Sequence, residues 1–305
     1  MTSPETPPNP PLVGQAYVLL TLASLAWGGN VVASRFAIGE VSPMILTSLR
    51  WVIVFGIFVL ARPRQTLAEW PLFRQHWRLG LAMGAMGYTA FSVALYVGAY
   101  YTSAVNLAIL QGAVPVLVLL GALVLHGTRA SGLQIVGVAI TLVGVGVVAC
   151  QGDIRTLLTL RFNFGDLLLL TGGAFYAGYT LKLRDRPPLP SLTFFVLLAA
   201  GAFLSTLPLV GIELLIGKAQ WPTAQGWLVV LFVALAPSLM AQLSFMRGVE
   251  LIGPGRAGVF VNLTPVFGAF LAVLMLGEAF AGYHTLALIL VLGGILLAEH
   301  RALFG

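Results

Sequence analysis

Long apolar stretches recur along this chain, and a short polar connection follows each one. The stretches are about 17 to 25 residues long, the length that an α-helix needs to cross a hydrocarbon core. They are continuously apolar and lack the two-residue alternation of a β-barrel strand. We therefore predict an all-α integral membrane protein with ten transmembrane helices, at residues 16–34, 44–61, 79–99, 104–125, 132–150, 165–182, 190–212, 226–246, 257–276 and 282–299.

The second half of the sequence repeats the first. A shift of 150 residues places Pro115 on Pro265 and Gly144 on Gly294 without a gap. A slightly smaller shift places the earlier segment LAWGGN on GAFYAG. Each half then holds five predicted spans. Because five is an odd number, the second half enters the membrane from the opposite side and has the inverted topology. We predict two inverted five-helix repeats around a central cavity.

The predicted domain boundaries follow from this repeat. The proline-rich start of the chain lacks the basic region of a secretory leader, so we expect a disordered tail there and no cleaved signal. The predicted segments are a tail at 1–15, a first repeat at 16–150, a linker at 151–164, a second repeat at 165–299 and a C-terminal tail at 300–305.

Composition and charge placement support a membrane protein. Hydrophobic residues make up 59% of the chain and charged residues 9%, more apolar surface than a soluble fold of this length buries. Eleven of the 16 Lys and Arg residues fall on one side of the predicted spans and four on the other, with Arg50 inside a span. Such an excess marks the cytoplasmic side. We therefore expect a protein of the bacterial inner (plasma) membrane with both termini in the cytoplasm. Topology explains the net charge of +6 without a nucleic-acid partner.

Pro115 and Pro265 interrupt matching helices of the two halves. Proline removes a backbone hydrogen bond and frees a carbonyl, so we expect each helix to bend or narrow there. Inside a membrane the freed group needs a protein or water partner, which favours a position on a cavity wall and a role in gating. The alternative is the general enrichment of proline in membrane helices.

Polar and aromatic residues in the middle of the spans are the candidates for a substrate cavity, because hydrocarbon tolerates polar groups poorly. Some pairs, such as Trp27 and Asn30, share a helix face. Phe91, Tyr96 and Tyr100 lie nearer a membrane end and are expected to be interfacial anchors. A buried amide could instead bond a neighbouring helix. The candidates are Trp27, Asn30, Tyr88, Ser92, Tyr176, Tyr179, Ser238, Gln242, Phe245 and Asn262.

Two charged residues are candidates for coupling or for a structural role. Arg50 lies inside the second span, where it could bind a carboxylate, pair with another helix or extend its side chain to the interface. Glu278 lies at the end of the ninth span and is either a proton-coupling group or a solvated cap. No acid lies near the centre of a span, which disfavours proton-for-cation exchange and favours a neutral or zwitterionic substrate.

Several segments together resemble the EamA-type exporters of the drug/metabolite transporter superfamily. They are AWGGN, LTSLRW around Arg50, YYTSAVNLAILQGAVPVLVLL, the GD pair at Gly165 and Asp166, and GPGRAGVFVNLTPVFGAFLAVLMLGE. The first half departs from the pattern, with Gly127 and Thr128 where the second half has Gly277 and Glu278. The resemblance covers nearly the whole chain. It implies a basket of ten helices around a cavity and the export of amino acids, other metabolites or drugs.

The sequence therefore favours a secondary transporter that exports small neutral or zwitterionic metabolites, with amino acids as the leading class, by alternating access. The alternatives are a carrier of drugs or other metabolites and a passive facilitator. A membrane enzyme is disfavoured, since the chain has no HExxH or GxSxG motif and no Cys/His cluster. No cofactor or metal is expected. The expected partners are a small-molecule substrate and the lipid bilayer, with no nucleic acid and no required oligomer.

Overall fold

The structure, a computed structural model, describes residues 10–98, 101, 110, 111, 113–128, 130–159, 163–276 and 280–298. Within these ranges the secondary structure consists of helices and turns, without a β-strand. The helices are α1 (Pro10–Phe36), α2 (Pro43–Ala61), α3 (Pro63–Gly98), α4 (Val114–His126), α5 (Gly132–Ala149), α6 (Phe164–Lys182), α7 (Ser191–Leu215), α8 (Ala224–Ile252), α9 (Pro254–Val259, Phe260–Asn262 and Leu263–Leu276) and α10 (Gly282–Ala298). A single turn, Arg155–Leu158, lies between α5 and α6. The predicted all-α class is confirmed.

Seven of these helices are long and apolar enough to cross a membrane, namely α1, α2, α3, α5, α7, α8 and α9. Helices α4 and α10 are apolar but shorter, at 13 and 17 residues. The predicted fourth span starts at residue 104, outside the described residues, whereas α4 itself begins at Val114, directly after the turn at Ala113. The count of ten spans stays a prediction.

Two helices begin earlier in the chain than the predicted segments. Helix α1 begins at Pro10, so residues 10–15 are helical and do not belong to a disordered tail. Proline fits the first turn of a helix, and Val13 is buried, which anchors this start. Helix α3 begins at Pro63, 16 residues before the predicted third span. Its first part is polar, with a Gln65–Glu69 hydrogen bond one turn apart, and hydropathy therefore missed it.

The helices pack in pairs that relate the two halves. Helix α1 packs on α8 and α9, and α6 packs in the same way on α3 and α4. Helix α2 packs on α7, and α5 packs on α10. Large apolar side chains such as Leu60, Val124 and Leu228 remain exposed on the outside of the bundle. An apolar outer surface of this kind is what lipid contact requires.

Glycine allows two of these pairs to approach at the backbone. A Cβ atom added at Gly201 of α7 would lie 2.2 Å from the Gly80 carbonyl oxygen of α3. A Cβ atom added at Gly137 of α5 would lie 2.5 Å from the Gly294 carbonyl oxygen of α10. Such distances leave no room for a methyl group, so both crossings depend on glycine.

Helices α3 and α8 each contain a π-helical segment. The segments are Ala85–Ala90 in α3 and Ala234–Met240 in α8, and their starts lie 149 residues apart. The first carries Tyr88, and the second carries Ser238 and Pro237. A π turn inserts an extra residue into a helix, redirects the side chains around it, and is frequent at functional sites.

Candidate functional site

A cavity of about 80 Å³ lies in the middle of the bundle. Its walls come from seven helices, α1 to α4, α6, α8 and α9, and from Gln111 just before α4. The volume holds several water molecules or the polar head of a small solute. The structure brings six of the ten predicted cavity residues to its wall: Trp27, Asn30, Tyr88, Ser92, Tyr176 and Gln242.

Aromatic rings form one wall of the cavity. The ring of Trp27 on α1 meets Tyr176 of α6 edge-on, with centroids 6.2 Å apart. Phe245 of α8 packs behind both rings, 5.3 Å from Trp27 and 6.0 Å from Tyr176. Phe245 therefore supports the wall without lining it. The Trp27 indole N–H donates to the Pro237 carbonyl at 3.2 Å, which orients the indole.

A second aromatic group fixes the floor between α2, α3 and α6. Trp51 stacks on Tyr88, with centroids 4.4 Å apart and planes 6° from parallel. The hydroxyl groups of Tyr88 and Tyr179 lie 3.1 Å apart and share a hydrogen bond. Tyr179 is fully buried and lies behind the cavity wall. Its role in the structure is to hold Tyr88.

Arg50 lies at the cavity and is 5% exposed. Its Nε donates to the Ser238 hydroxyl at 2.7 Å, and that hydroxyl donates to the Val233 carbonyl at 2.6 Å. The guanidinium also lies 5.3 Å from the ring centre of Trp51 and beside the Tyr96 hydroxyl. Arg50 therefore does not extend to the interface. Ser238, which does not line the cavity, positions it from the π-helical segment of α8.

Five buried polar atoms around this cavity have no hydrogen-bond partner among the described residues. They are Asn30 Oδ1, Trp51 Nε1, Tyr176 Oη, Gln242 Oε1 and Thr264 Oγ1. Buried polar groups are nearly always paired with protein or water, because an unpaired one costs about 1–3 kcal/mol. Their convergence on one cavity indicates a site that water or a polar ligand completes.

Two of these atoms face each other. The Tyr176 hydroxyl lies beside the Gln242 amide but outside hydrogen-bond geometry. A small rotation of either side chain would join them, and a ligand could instead use both. The remaining three atoms, on Asn30, Trp51 and Thr264, have no hydrogen-bond partner among the described residues.

Asn262 does not line the cavity. Its Nδ2 donates to the Thr141 hydroxyl at 2.6 Å, and both side chains are fully buried. The bond joins α9 to α5, a helix that contributes nothing to the cavity wall. The structure thus shows for Asn262 the contact with a neighbouring helix that the sequence left open as an alternative.

The two repeated prolines lie beside the cavity wall. Helix α9 narrows to a 3₁₀ turn at Phe260–Asn262 shortly before Pro265. Pro115 lies in the first turn of α4, where its missing N–H leaves no bond unmade. Neither proline lines the cavity, but Val114 and Thr264, the residues directly before them, do. Their part in gating remains a prediction.

Several lining residues occupy matching positions of the two halves. Ser92 and Gln242 are 150 residues apart, as are Val114 and Thr264, and all four line the cavity. The wall is therefore built from equivalent places with different side chains. The Ser92 hydroxyl donates to the Tyr88 carbonyl of its own helix at 2.7 Å. The Gln242 side-chain oxygen, in contrast, has no hydrogen-bond partner among the described residues.

One end of the bundle, the basic end, carries His126 and residues 182–186. His126 at the end of α4 lies 3.1 Å from the Asp185 carboxylate, and Arg184 donates to Thr128 at 3.3 Å. The hydrogen bond with His126 lowers the pKa of the Asp185 carboxyl, although partial burial opposes this, and the charges of His126, Lys182 and Arg184 add to the lowering. These contacts join α4 to the turn after α6.

The opposite end, with residues 37–42 and 216–223, is tied by a buried carboxylate that the sequence reasoning missed. Glu213 of α7 accepts from the Ser42 hydroxyl at 2.7 Å and from the backbone N–H groups of Met44 and Ile45 at 3.2 Å. The carboxylate thus caps the start of α2, where a negative charge is stabilising. Glu278, the other predicted coupling residue, lies outside the described residues.

Sequence reasoning also missed other wall residues. Phe91 and Tyr96 line the cavity and are not interfacial anchors, because the π-helical segment of α3 turns this part of the helix inward. Trp51 and Thr264 were not singled out, although each directly adjoins a residue that was, Arg50 and Pro265. No group of three or more His, Cys, Asp or Glu side chains in the described part of the chain could hold a metal.

Known proteins share this sequence pattern and fold. The model of the EamA-like transporter family matches residues 14–150 and again 163–299. An uncharacterized transporter of Bacillus subtilis (strain 168), YyaM, is 24% identical over 291 residues, which cover 93% of each chain. The uncharacterized inner membrane transporter YedA of Escherichia coli (strain K12) is 25% identical over 300 residues, covering 96% of this chain and 92% of YedA.

A solved crystal structure shares the fold with a TM-score of 0.79 at 20% sequence identity, covering 95% of this chain and 98% of the other. The family match spans both halves of the chain and agrees with the helical bundle, its apolar outer surface and its central cavity. This protein belongs to the EamA-like transporter family and is a membrane transporter.

Proposed function

We propose that the protein is a secondary transporter that exports small neutral or zwitterionic metabolites, with amino acids as the leading class, by alternating access. The observation that carries the proposal is the convergence on one cavity of five buried polar atoms that have no hydrogen-bond partner among the described residues of this membrane protein. A cavity with aromatic walls and a few polar groups is the usual form of a small-molecule site.

The charges around the cavity favour this substrate class over cationic drugs. Arg50 is the charged side chain at the wall, and no acid lines the wall among the described residues. A cation would meet repulsion there without a compensating carboxylate.

The proposed motion rests on two inverted repeats, residues 16–150 and 165–299. The support comes from the matching π-helical segments, the matching packing of α1 and α6, and the lining residues 150 positions apart. Inverted repeats can exchange their conformations, which opens a central site to each side in turn. In this proposal the contact between His126 and Asp185 at the basic end and the contact between Glu213 and Ser42 at the opposite end break alternately.

The proposed orientation places the basic end and both termini in the cytoplasm of the inner membrane. Its support is the excess of Lys and Arg at that end. Single cysteines at Leu158 and Pro188, both exposed and at opposite ends, would test it in a Cys150→Ser background. An impermeant thiol reagent added to intact cells should label position 158 and spare position 188. The reverse pattern would contradict the orientation.

Counterflow in proteoliposomes tests the function itself. Vesicles with the purified protein are preloaded with unlabelled L-threonine, L-methionine or L-phenylalanine, and uptake of the labelled compound is followed with and without a pH gradient. A carrier accumulates label against the preloaded pool, whereas a passive facilitator only equilibrates. Trp27→Ala should abolish uptake, and Trp70→Ala, a matched change at an exposed tryptophan outside the cavity, should not. No uptake of any panel member would remove the support for amino acids.

A further inference from the structure

Arg50 carries a charge that its described surroundings do not neutralise. It is 5% exposed, and no Asp or Glu oxygen of the described residues lies within ion-pair distance of it. Its neighbours Ser238, Trp51 and Tyr96 are uncharged. Burying a charge without a counter-ion is costly, so such residues in membrane proteins are expected to serve a function.

The protein holds this guanidinium in one place. Ser238 receives the Nε–H bond, and its own proton goes to the Val233 carbonyl inside the π-helical segment. A guanidinium is planar, so the bond from Nε to Ser238 and the cation–π contact with Trp51, 5.3 Å from the guanidinium carbon to the ring centre, restrict the orientation of the whole group. A fixed planar guanidinium at a cavity wall matches a carboxylate, which it can bind through two parallel hydrogen bonds.

The unpaired oxygens of the same cavity complement this group. Asn30 and Gln242 each present a buried side-chain oxygen that accepts no hydrogen bond in the described structure. Such oxygens accept from an ammonium group. The cavity therefore offers a fixed cation for an anionic group and neutral acceptors for a donor, without an acid for an unaccompanied cation.

We infer that Arg50, positioned by Ser238, binds the carboxylate of the substrate, so that the protein selects small monocarboxylates and zwitterions and rejects the corresponding amides and amines. This inference deepens the proposed function and rests on it for the identity of the site. It adds that the substrate must carry a free carboxylate and that Arg50 binds this group.

The test compares three compounds that differ in one group: L-methionine, L-methioninamide, and 4-(methylsulfanyl)butanoate, which lacks the amine. The chain has one cysteine, the buried Cys150, so a thiol-reactive dye reports thermal unfolding directly. Both carboxylates should stabilise the wild-type protein at concentrations at least about tenfold lower than the amide requires. L-threonine and L-threoninamide repeat the comparison with a smaller side chain.

Variants assign the effect to Arg50. Arg50→Gln should weaken stabilisation by the carboxylates at least about tenfold, and Arg50→Lys, which keeps the charge but loses the planar fork, should weaken it less. Arg74→Gln removes an exposed arginine outside the cavity and should leave the carboxylate effect unchanged. Because the acid-to-amide comparison uses the wild-type protein, it holds even if an Arg50 variant fails to fold.

The outcomes separate this inference from the proposed function. Equal stabilisation by acid and amide, no stabilisation by either carboxylate series, or an effect that survives Arg50→Gln would each overturn the carboxylate assignment. Counterflow without carboxylate selectivity would support the transport function and contradict the assignment of Arg50 to the carboxylate. Carboxylate stabilisation without any counterflow would support the assignment and contradict the transport function.

Discussion

The contact between α3 and α7 allows a prediction with a built-in control. A Cβ atom at Gly201 would lie 2.2 Å from the Gly80 carbonyl oxygen and 2.8 Å from the Leu81 Cα. Ordinary contacts need about 3.5 Å, so Gly201→Ala must push the two helices apart by about 1 Å. Overpacking of this kind costs about 1–3 kcal/mol. The substitution also raises helix propensity, by about 1 kcal/mol.

Gly211 provides the control on the same helix. A Cβ atom there would have no heavy atom within 4 Å, so Gly211→Ala gains the propensity without the clash. The difference between the two alanine variants therefore isolates the packing cost, about 1–3 kcal/mol. In a heating scan with a thiol-reactive dye that reports exposure of Cys150, Gly201→Ala should unfold roughly 2–6 °C below Gly211→Ala.

The same pair predicts an effect on transport. Helix α3 carries Tyr88 and Ser92 at the cavity, so a displacement of α3 moves two wall residues. Counterflow should fall in Gly201→Ala and persist in Gly211→Ala at equal protein amounts. If both variants unfold at the same temperature at one scan rate, the backbone contact at this crossing is not as close as described, and the packing argument is refuted.

Three further predictions concern single side chains. Glu213→Gln should lower the free energy of unfolding by about 1–2 kcal/mol, because an amide has only one acceptor oxygen for the donors at the start of α2. An unchanged midpoint of thermal unfolding would argue against the cap. Tyr176→Phe should leave stability unchanged or slightly raised, since it removes an unpaired hydroxyl, while lowering counterflow; full activity would place the substrate elsewhere. The stabilising contact of Asp185 with His126 should be present at neutral pH and be lost as the pH falls below about 4, because the contact lowers the pKa of the carboxyl. In an acid titration of thermal stability, Asp185→Asn should differ from the wild type above that pH and converge with it below.

The sequence alone determined the helical class and the membrane setting, and it pointed to part of the candidate site. Hydrophobic stretches of spanning length have few alternatives to helices in lipid, where each backbone group must find a partner within its own segment. Polar side chains such as Asn30 and Gln242 stood out because an apolar helix rarely carries them without a reason. The spacing of Pro115 and Pro265 likewise marked the wall, although the neighbouring Val114 and Thr264 form it.

Only the tertiary structure decided which polar residues face the cavity. Asn262 and Gln242 look alike in sequence, but Asn262 bonds Thr141 on a neighbouring helix away from the cavity, whereas Gln242 lies at the cavity wall. The π-helical segments orient two further residues, because the segment of α3 turns Phe91 towards the cavity and the segment of α8 places Ser238 beside Arg50. Hydropathy records how apolar a segment is. It does not record the rotation of one helix against another, and in this protein that rotation determines whether Arg50 meets solvent, a lipid head group or the cavity.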